Sequence, residues 1–457
     1  MRATATSPTA PGSGTSSARP GRPPHRWQRR SASAVLVLAL AGCARPEPAP
    51  TRPDLAAPPG APALRVGTSF DYPPFSTLDQ PAGGGEATPT GFSIDLAHRL
   101  AAALGRPLEL VDFEWPELGR DIAAGRFDVA ISGVTWRPER AAVGRMSRAL
   151  AAGGPCTVAR SELTSEQIAS ARVAVNRGGI LERWARSHWP DPQLVITGNN
   201  LRLPELLATG EVDLFVTDRF EVAHFAAPAD LVRCEPPADR KVIWIAPTAE
   251  SSESAALGDA IDRWLEGHED FIAALRLEHF GDPMPRDPAD HLVDLLARRL
   301  AFMPLVALDK RSRGLEIEDA AQEERVLASA LEAATGAGLS HDAASRAHVG
   351  RFFRKQIELA KQIQERTLEA SETAASGDPE SAGDESLRLE QIRPALLVLG
   401  DQLIAALAST STAELEALRG DADRMAPLRE WLAQEDVDRL LQACAEVVEA
   451  GGARRTA

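Results

Sequence analysis

Glu182 lies one turn inside a helix opened by Gly178-Gly179. A carboxyl at that place, enclosed in a dry cleft, would hold its proton near neutral pH and act as a general acid. Arg299 and Lys310 stand eleven positions apart, which at ~3.6 residues per turn is three helical turns and puts both cations on one face. Lysine is scarce: of 50 basic residues only Lys241, Lys310, Lys355 and Lys361 are lysines. Its use at position 310 favours a compact point charge over a solvated arginine. The nine histidines form no i,i+4 pair and the four cysteines no CxxC, so neither a metal nor another cofactor is expected.

The chain has 457 residues, too long for one ordinary domain. Its 50 basic against 65 acidic residues leave a net charge of −15 and a pI near 5.2, a poor surface for nucleic acid. Arg26, Arg29 and Arg30 precede an apolar run from Ala32 to Ala41, too short to span a bilayer but fit for a signal-peptide core. It ends in Leu40-Ala41-Gly42-Cys43, so residues 1–43 read as a signal segment with Cys43 lipidated. Seven prolines among residues 44–63 read as an extended tether, making an exported, periplasmic, lipid-anchored protein the expectation.

Two textures follow, predicting a multidomain chain. Between 64 and 282, apolar strands such as LRVGTSF, RVAVN and DLFVTD alternate with amphipathic helices, the pattern of a two-lobed α/β unit with mostly parallel sheet. A proline-rich stretch, 283–290, reads as a linker between separately folded cores. Helical periodicity then fills 291–450, over 291–310, 320–335, 342–370, 388–408 and 412–449, giving an all-α unit.

The α/β motifs resemble the amino-acid-type periplasmic solute-binding proteins. Phe70-Asp71-Tyr72-Pro73-Pro74-Phe75, Gly91-Phe92-Ser93-Ile94-Asp95, Ser132-Gly133-Val134-Thr135 with Arg140, and Thr217-Asp218 carry that resemblance. It implies a binding-protein-like cleft in which Phe75, Ser132, Thr135, Arg140 and Asp218 bind ligand, Arg140 as a fork on a carboxylate. Glu114-Trp115-Pro116-Glu117-Leu118 and Val175-Asn176-Arg177-Gly178-Gly179 with Glu182-Arg183-Trp184 resemble the cyclohexadienyl dehydratases more narrowly. Thr217-Asp218 with Glu221, Lys241 and both Cys156 and Cys234 also have counterparts there. This resemblance implies loss of CO2 and water from prephenate, with Glu182 as the acid and Trp115 and Lys241 at the substrate. It also implies a Cys156–Cys234 disulfide, which an oxidising compartment allows.

The helical unit resembles the secreted class of all-helical chorismate mutases. Arg298-Arg299-Leu300, Lys310, Gly314-Leu315-Glu316-Ile317-Glu318-Asp319, Phe352-Phe353-Arg354-Lys355-Gln356-Ile357 with Lys361-Gln362-Ile363-Gln364, and Ile392-Arg393-Pro394 carry it. The resemblance implies that Lys310 and Gln364 donate to the ether oxygen of chorismate and Arg299 and Arg393 clamp its carboxylates. Asp319 and Glu323 would hold the ring hydroxyl or orient the clamps. Gln322 and Ala360 depart from that pattern. Together the resemblances predict a bifunctional enzyme passing chorismate through prephenate to phenylpyruvate. The rivals are a transport binding protein with a degenerate helical appendage, and a mutase joined to a sensor. Prephenate against arogenate is left open, as is a homodimer.

Overall fold

The computed structural model describes residues 60–80, 85–189, 193–227, 230–247, 251–281, 287–374 and 387–452. The signal segment, Cys43 and most of the tether lie outside these residues.

Two five-stranded sheets form the lobes. In the first, Leu64–Thr68 pairs in parallel with Leu108–Asp112 and Val129–Ala130. Trp244–Ile245 returns antiparallel between Val129–Ala130 and Arg145–Met146. In the second, Arg172–Asn176 runs parallel to Gln193–Thr197 and Leu214–Asp218, and Pro155–Ala159 lies antiparallel between Leu214–Asp218 and Leu231–Cys234. Leu214–Asp218 is buried along its whole length because helices cover both faces of the sheet, as its unbroken apolar run anticipates. Helix Phe92–Ala103 turns Phe92, Leu96 and Leu100 onto the first sheet at the spacing of one helical face. The lobes are joined at a hinge where Ala151–Gly153 and Asp239–Lys241 pair antiparallel. Cys156 and Cys234 face each other on adjacent strands and form a disulfide.

After Ile245 the described residues contain no further strand. Helix Pro288–Ala301 begins at an Asp287/Asp290 capping box with Pro288 in its first turn, so the last residues of the expected linker are helical. Arg424 fixes that start by ion pairs to Asp287 at 2.6 Å and Asp290 at 2.7 Å. The expected 291–310 helix is divided into Pro288–Ala301 and Met303–Ser312, because Pro304 has no N–H to donate back to Leu300. Phe302 keeps right-handed helical dihedrals (φ −76°, ψ −19°), so the face count from Arg299 to Lys310 survives the break. The expected 412–449 helix becomes Thr412–Arg419, Ala426–Arg429 and Gln434–Gly452, interrupted after Gly420 and again beyond the short helix that Pro427 opens. Leu389–Ser409 is long and apolar enough by composition to cross a membrane, yet it packs against Pro288–Ala301 and Ala320–Gly336 in the helical core.

The two units are not separate bodies. The core of the helical unit takes in Trp136, Ala141 and Ala142 from the first lobe, and Leu389–Ser409 packs on helix Pro138–Val143.

The disulfide spans 78 residues, which in the chain-entropy account stabilises the α/β unit by about 4 kcal/mol. Replacing both cysteines by serine should lower the urea midpoint of the tryptophan-fluorescence transition, seven of the eight tryptophans lying before residue 290. An unchanged midpoint would contradict this.

Candidate functional site

The cleft is organised around Lys241, whose side chain is 2% exposed. Its ammonium donates to Asp218 Oδ2 at 2.6 Å, Thr135 Oγ1 at 3.0 Å and Tyr72 OH at 3.0 Å. Thr135 and Tyr72 belong to the first lobe, Asp218 to the second and Lys241 to the hinge, so one cation ties all three. The other oxygen of Asp218 accepts from the Phe220 amide at 3.1 Å. Phe75 is buried and crosses between lobes, its ring 5.1 Å from that of Phe220. Trp115 stacks edge-on against Tyr72 and donates from Nε1 to Asp71 Oδ1 at 3.1 Å. Ser132 lies deeper in the first lobe, where its hydroxyl accepts from the Ser69 amide at 3.2 Å. Arg140 donates from Nη1 to Thr135 O at 2.8 Å and forms no ion pair among the described residues. Burial, with Arg137 and Arg183 nearby, pulls its guanidinium down to about 10.

The carboxyl of this region whose pKa is raised is that of Glu221, whereas that of Glu182 is lowered. Glu221 follows the strand Leu214–Asp218 and opens the short helix Val222–Phe225. Its side chain is buried: Oε2 accepts from Thr217 Oγ1 at 2.5 Å and the Asp218 amide at 3.3 Å, and Oε1 from Asn200 Nδ2 at 3.2 Å. Burial, reinforced by the charge on Asp218, pushes its carboxyl up to about 8, so it is protonated at neutral pH. Glu182 instead accepts from the Gly178 amide at 2.7 Å and pairs with Arg186 at 2.7 Å. Partial burial raises its pKa, but those two donors outweigh it and hold the carboxyl below its usual range. The surroundings of Glu182 therefore favour its carboxylate form, the opposite of what the sequence reading requires of an acid. The signal that marks Glu221 in sequence is a glutamate one turn beyond the Thr-Asp that ends a strand.

A second site is a cavity of about 640 Å³ among the helices. Arg299, Lys310, Asp319, Glu323, Gln364 and Arg393 all line it, with Met303, Val306, Val326 and Leu396 as apolar wall. Burial pulls the half-buried Arg299 guanidinium down to about 10, and it meets no hydrogen-bonding or ion-pairing partner among the described residues. Lys310 donates to Ile317 O at 2.6 Å, and burial lowers its ammonium against the pull of Asp319 and Glu323. Gln364 is buried, donating to Ala360 O at 3.3 Å, while its Oε1 has no partner. Asp319 caps helix Ala320–Gly336 through the Gln322 amide at 2.9 Å. Glu323 pairs with Lys361 at 3.2 Å. Gln322 lines the cavity, and its side-chain oxygen accepts from the exposed Arg325. A guanidinium without a partner among the described residues, with an ammonium and a second guanidinium on the same apolar wall, suits a small, multiply charged anion with a hydrophobic ring.

Residues 64–380 match the bacterial extracellular solute-binding proteins, family 3, a span that continues past the α/β unit into the helices. A cyclohexadienyl dehydratase of Pseudomonas aeruginosa is 37% identical over 165 residues, covering 35% of this chain and 60% of that protein. The chain therefore spans less than two thirds of that curated relative. The L-cystine-binding protein TcyJ of Escherichia coli is 25% identical over 217 residues, 46% of this chain and 74% of TcyJ. Among solved structures, the ancestral amino acid-binding protein AncCDT-1, described as a precursor of cyclohexadienyl dehydratase, aligns at 27% identity with a TM-score of 0.41. It covers 48% of this chain and 95% of its own.

Carbon-13 NMR of glutamate carboxyls should find one signal titrating near pH 8. It should be missing from Glu221→Gln and retained in Glu182→Gln. A signal lost with Glu182 instead would reverse the assignment.

Proposed function

Because the chain belongs to the bacterial extracellular solute-binding proteins, family 3, we propose that its α/β unit is that binding fold turned to catalysis. Its reaction is the conversion of prephenate to phenylpyruvate, and the helical unit supplies prephenate from chorismate. The observation that carries this reading is Glu221, a buried carboxyl protonated up to about pH 8 at the end of a cleft strand. A carrier has no use for such a proton, whereas this elimination cannot proceed without one. Hydroxide is a poor leaving group, so the acid must protonate it as the ring C–O bond breaks. The ring carboxylate leaves as CO2, its bonding pair enters the ring and makes it aromatic, and the protonated hydroxyl departs as water. Glu221 then regains its proton from solvent. Arg140, free of any carboxylate partner, anchors a substrate carboxylate, and Lys241 holds the lobes closed around the ring. The 37% identical dehydratase supports this assignment.

In the helical cavity the reaction is a pericyclic rearrangement, which needs a folded substrate and donors for charge growing on its ether oxygen. Arg299 and Arg393 take the carboxylates, Lys310 and the Gln364 amide the ether oxygen, and Glu323 the ring hydroxyl. Family membership supports export, and the Leu40-Ala41-Gly42-Cys43 motif supports a lipid anchor on Cys43.

An amino-acid carrier is the second reading, favoured by the family itself and by TcyJ. Against it, Asp218, the carboxylate an incoming ammonium would need, is already met by Lys241 at 2.6 Å and the Phe220 amide at 3.1 Å.

Two variants test the pair of sites. Glu221→Gln should cut phenylpyruvate formation from added prephenate by at least ~10² while chorismate consumption continues. In the wild type the same rate should fall as pH rises through about 8, because the ionised acid is inactive. Lys310→Arg should lower chorismate consumption by ~10²–10³, since a displaced donor misses the ether oxygen. Near wild-type rates in either variant would remove that residue from its role.

A further inference from the structure

One helix of the all-α unit grips the hinge of the cleft. Helix Pro288–Ala301 presents Asp294 and Arg298, one turn apart, to the α/β unit. Asp294 Oδ1 pairs with Arg240 Nε, the two side chains being 1% and 7% exposed. Arg240 also donates from Nη1 to Pro237 O at 2.5 Å. Arg298 donates from Nη1 to Ser147 O at 2.9 Å, just before the other hinge strand, and lies over the Trp136 ring at 5.5 Å. The backbone knits these points together: Trp136 N donates to Arg240 O at 2.8 Å, Ser147 N to Ile243 O at 3.0 Å, and Ile243 N to Ser147 Oγ at 3.0 Å. Trp136 in turn packs edge-on against Phe302 of the helical unit.

Arg240 and Lys241 are consecutive on the hinge strand Asp239–Lys241. Successive side chains of a strand point to opposite faces, so the strand that sends Arg240 into the helices sends Lys241 into the cleft. We propose that Asp294, aided by Arg298, is a positioning residue for the cleft: through Arg240 it sets the hinge strand so that the Lys241 ammonium reaches Asp218, Thr135 and Tyr72. The helical unit is then a component of the α/β site as well as the source of its substrate. The inference deepens the dehydratase reading and rests on it.

The energetics favour a fixed strand. A buried guanidinium that loses its closest carboxylate loses most of what offset its desolvation, which favours a shift toward water. Its guanidinium is held to Pro237 O on the approach to the same strand, so a shift of Arg240 is passed to that strand, where Lys241 is the next residue. A displacement of about an ångström at a site far from the chemistry is enough to lower a rate by ~10².

The test uses the full chain with Asp294→Asn, which keeps shape and an acceptor oxygen but removes the charge, and Asp294→Glu, which restores it. Steady-state conversion of added prephenate, chorismate consumption, and hydrogen exchange of peptides covering 145–153 and 237–245 are measured on each. For Asp294→Asn, kcat on prephenate should fall at least about tenfold with KM held within about threefold. Chorismate consumption should persist, exchange in both hinge peptides should quicken, and Asp294→Glu should recover most of the lost kcat. An unchanged kcat with unchanged exchange overturns the proposal. So does an equal loss of both activities, which would mark Asp294 as a stability residue only. If the wild type makes no phenylpyruvate, the dehydratase reading fails by itself, and hinge exchange still decides whether Asp294 sets the strand.

Discussion

The Lys241 ammonium is the constraint on which the cleft depends. Its three donors are all committed, one to each of Asp218, Thr135 and Tyr72, and its side chain is almost fully removed from water. A buried ion pair of this kind contributes little net stability after desolvation, but it is costly to break, so it fixes geometry. Here it fixes the relative setting of the two lobes and partners the Asp218 carboxylate with a cation of the protein itself. The neighbouring Glu221 then faces a second anion in a dry pocket and keeps its proton.

The helical cavity follows the complementary logic. Its acidic residues are largely occupied: Asp319 caps a helix and Glu323 pairs with Lys361. Arg299 is left without a partner among the described residues, on an apolar wall. A desolvated guanidinium with no counter-charge is costly in an empty site and is satisfied when an anion fills it. The two units share an interface of buried charge at Arg240–Asp294.

Much of this was legible in sequence because it is local. Strands with apolar runs, such as the Leu214-Phe215-Val216 that opens Leu214–Asp218, and the helix face joining Arg299 to Lys310 depend only on short-range periodicity. The fold class, two α/β lobes followed by helices, comes from the same signal. The breaks at Pro304 and Gly420 were written in residue types that helical periodicity alone overrides. The choice between Glu182 and Glu221 was not local. Glu182 stands in a conspicuous glycine-led motif, but its protonation is decided by Arg186 and the Gly178 amide. The Glu221 pKa is raised by burial and by the charge on Asp218, against the pull of its Thr217 hydrogen bond, and only tertiary packing brings about that burial. The docking of helix Pro288–Ala301 on the hinge was likewise hidden, since a proline-rich stretch reads as a spacer whether or not the helix after it packs back.

The central claim is that one chain carries two consecutive reactions. Its most direct test is to give chorismate alone to the purified wild-type protein and follow prephenate and phenylpyruvate separately in time. The account predicts that chorismate disappears, prephenate rises transiently, and phenylpyruvate accumulates to match the chorismate lost. Tight binding of an amino acid with neither product formed would contradict it.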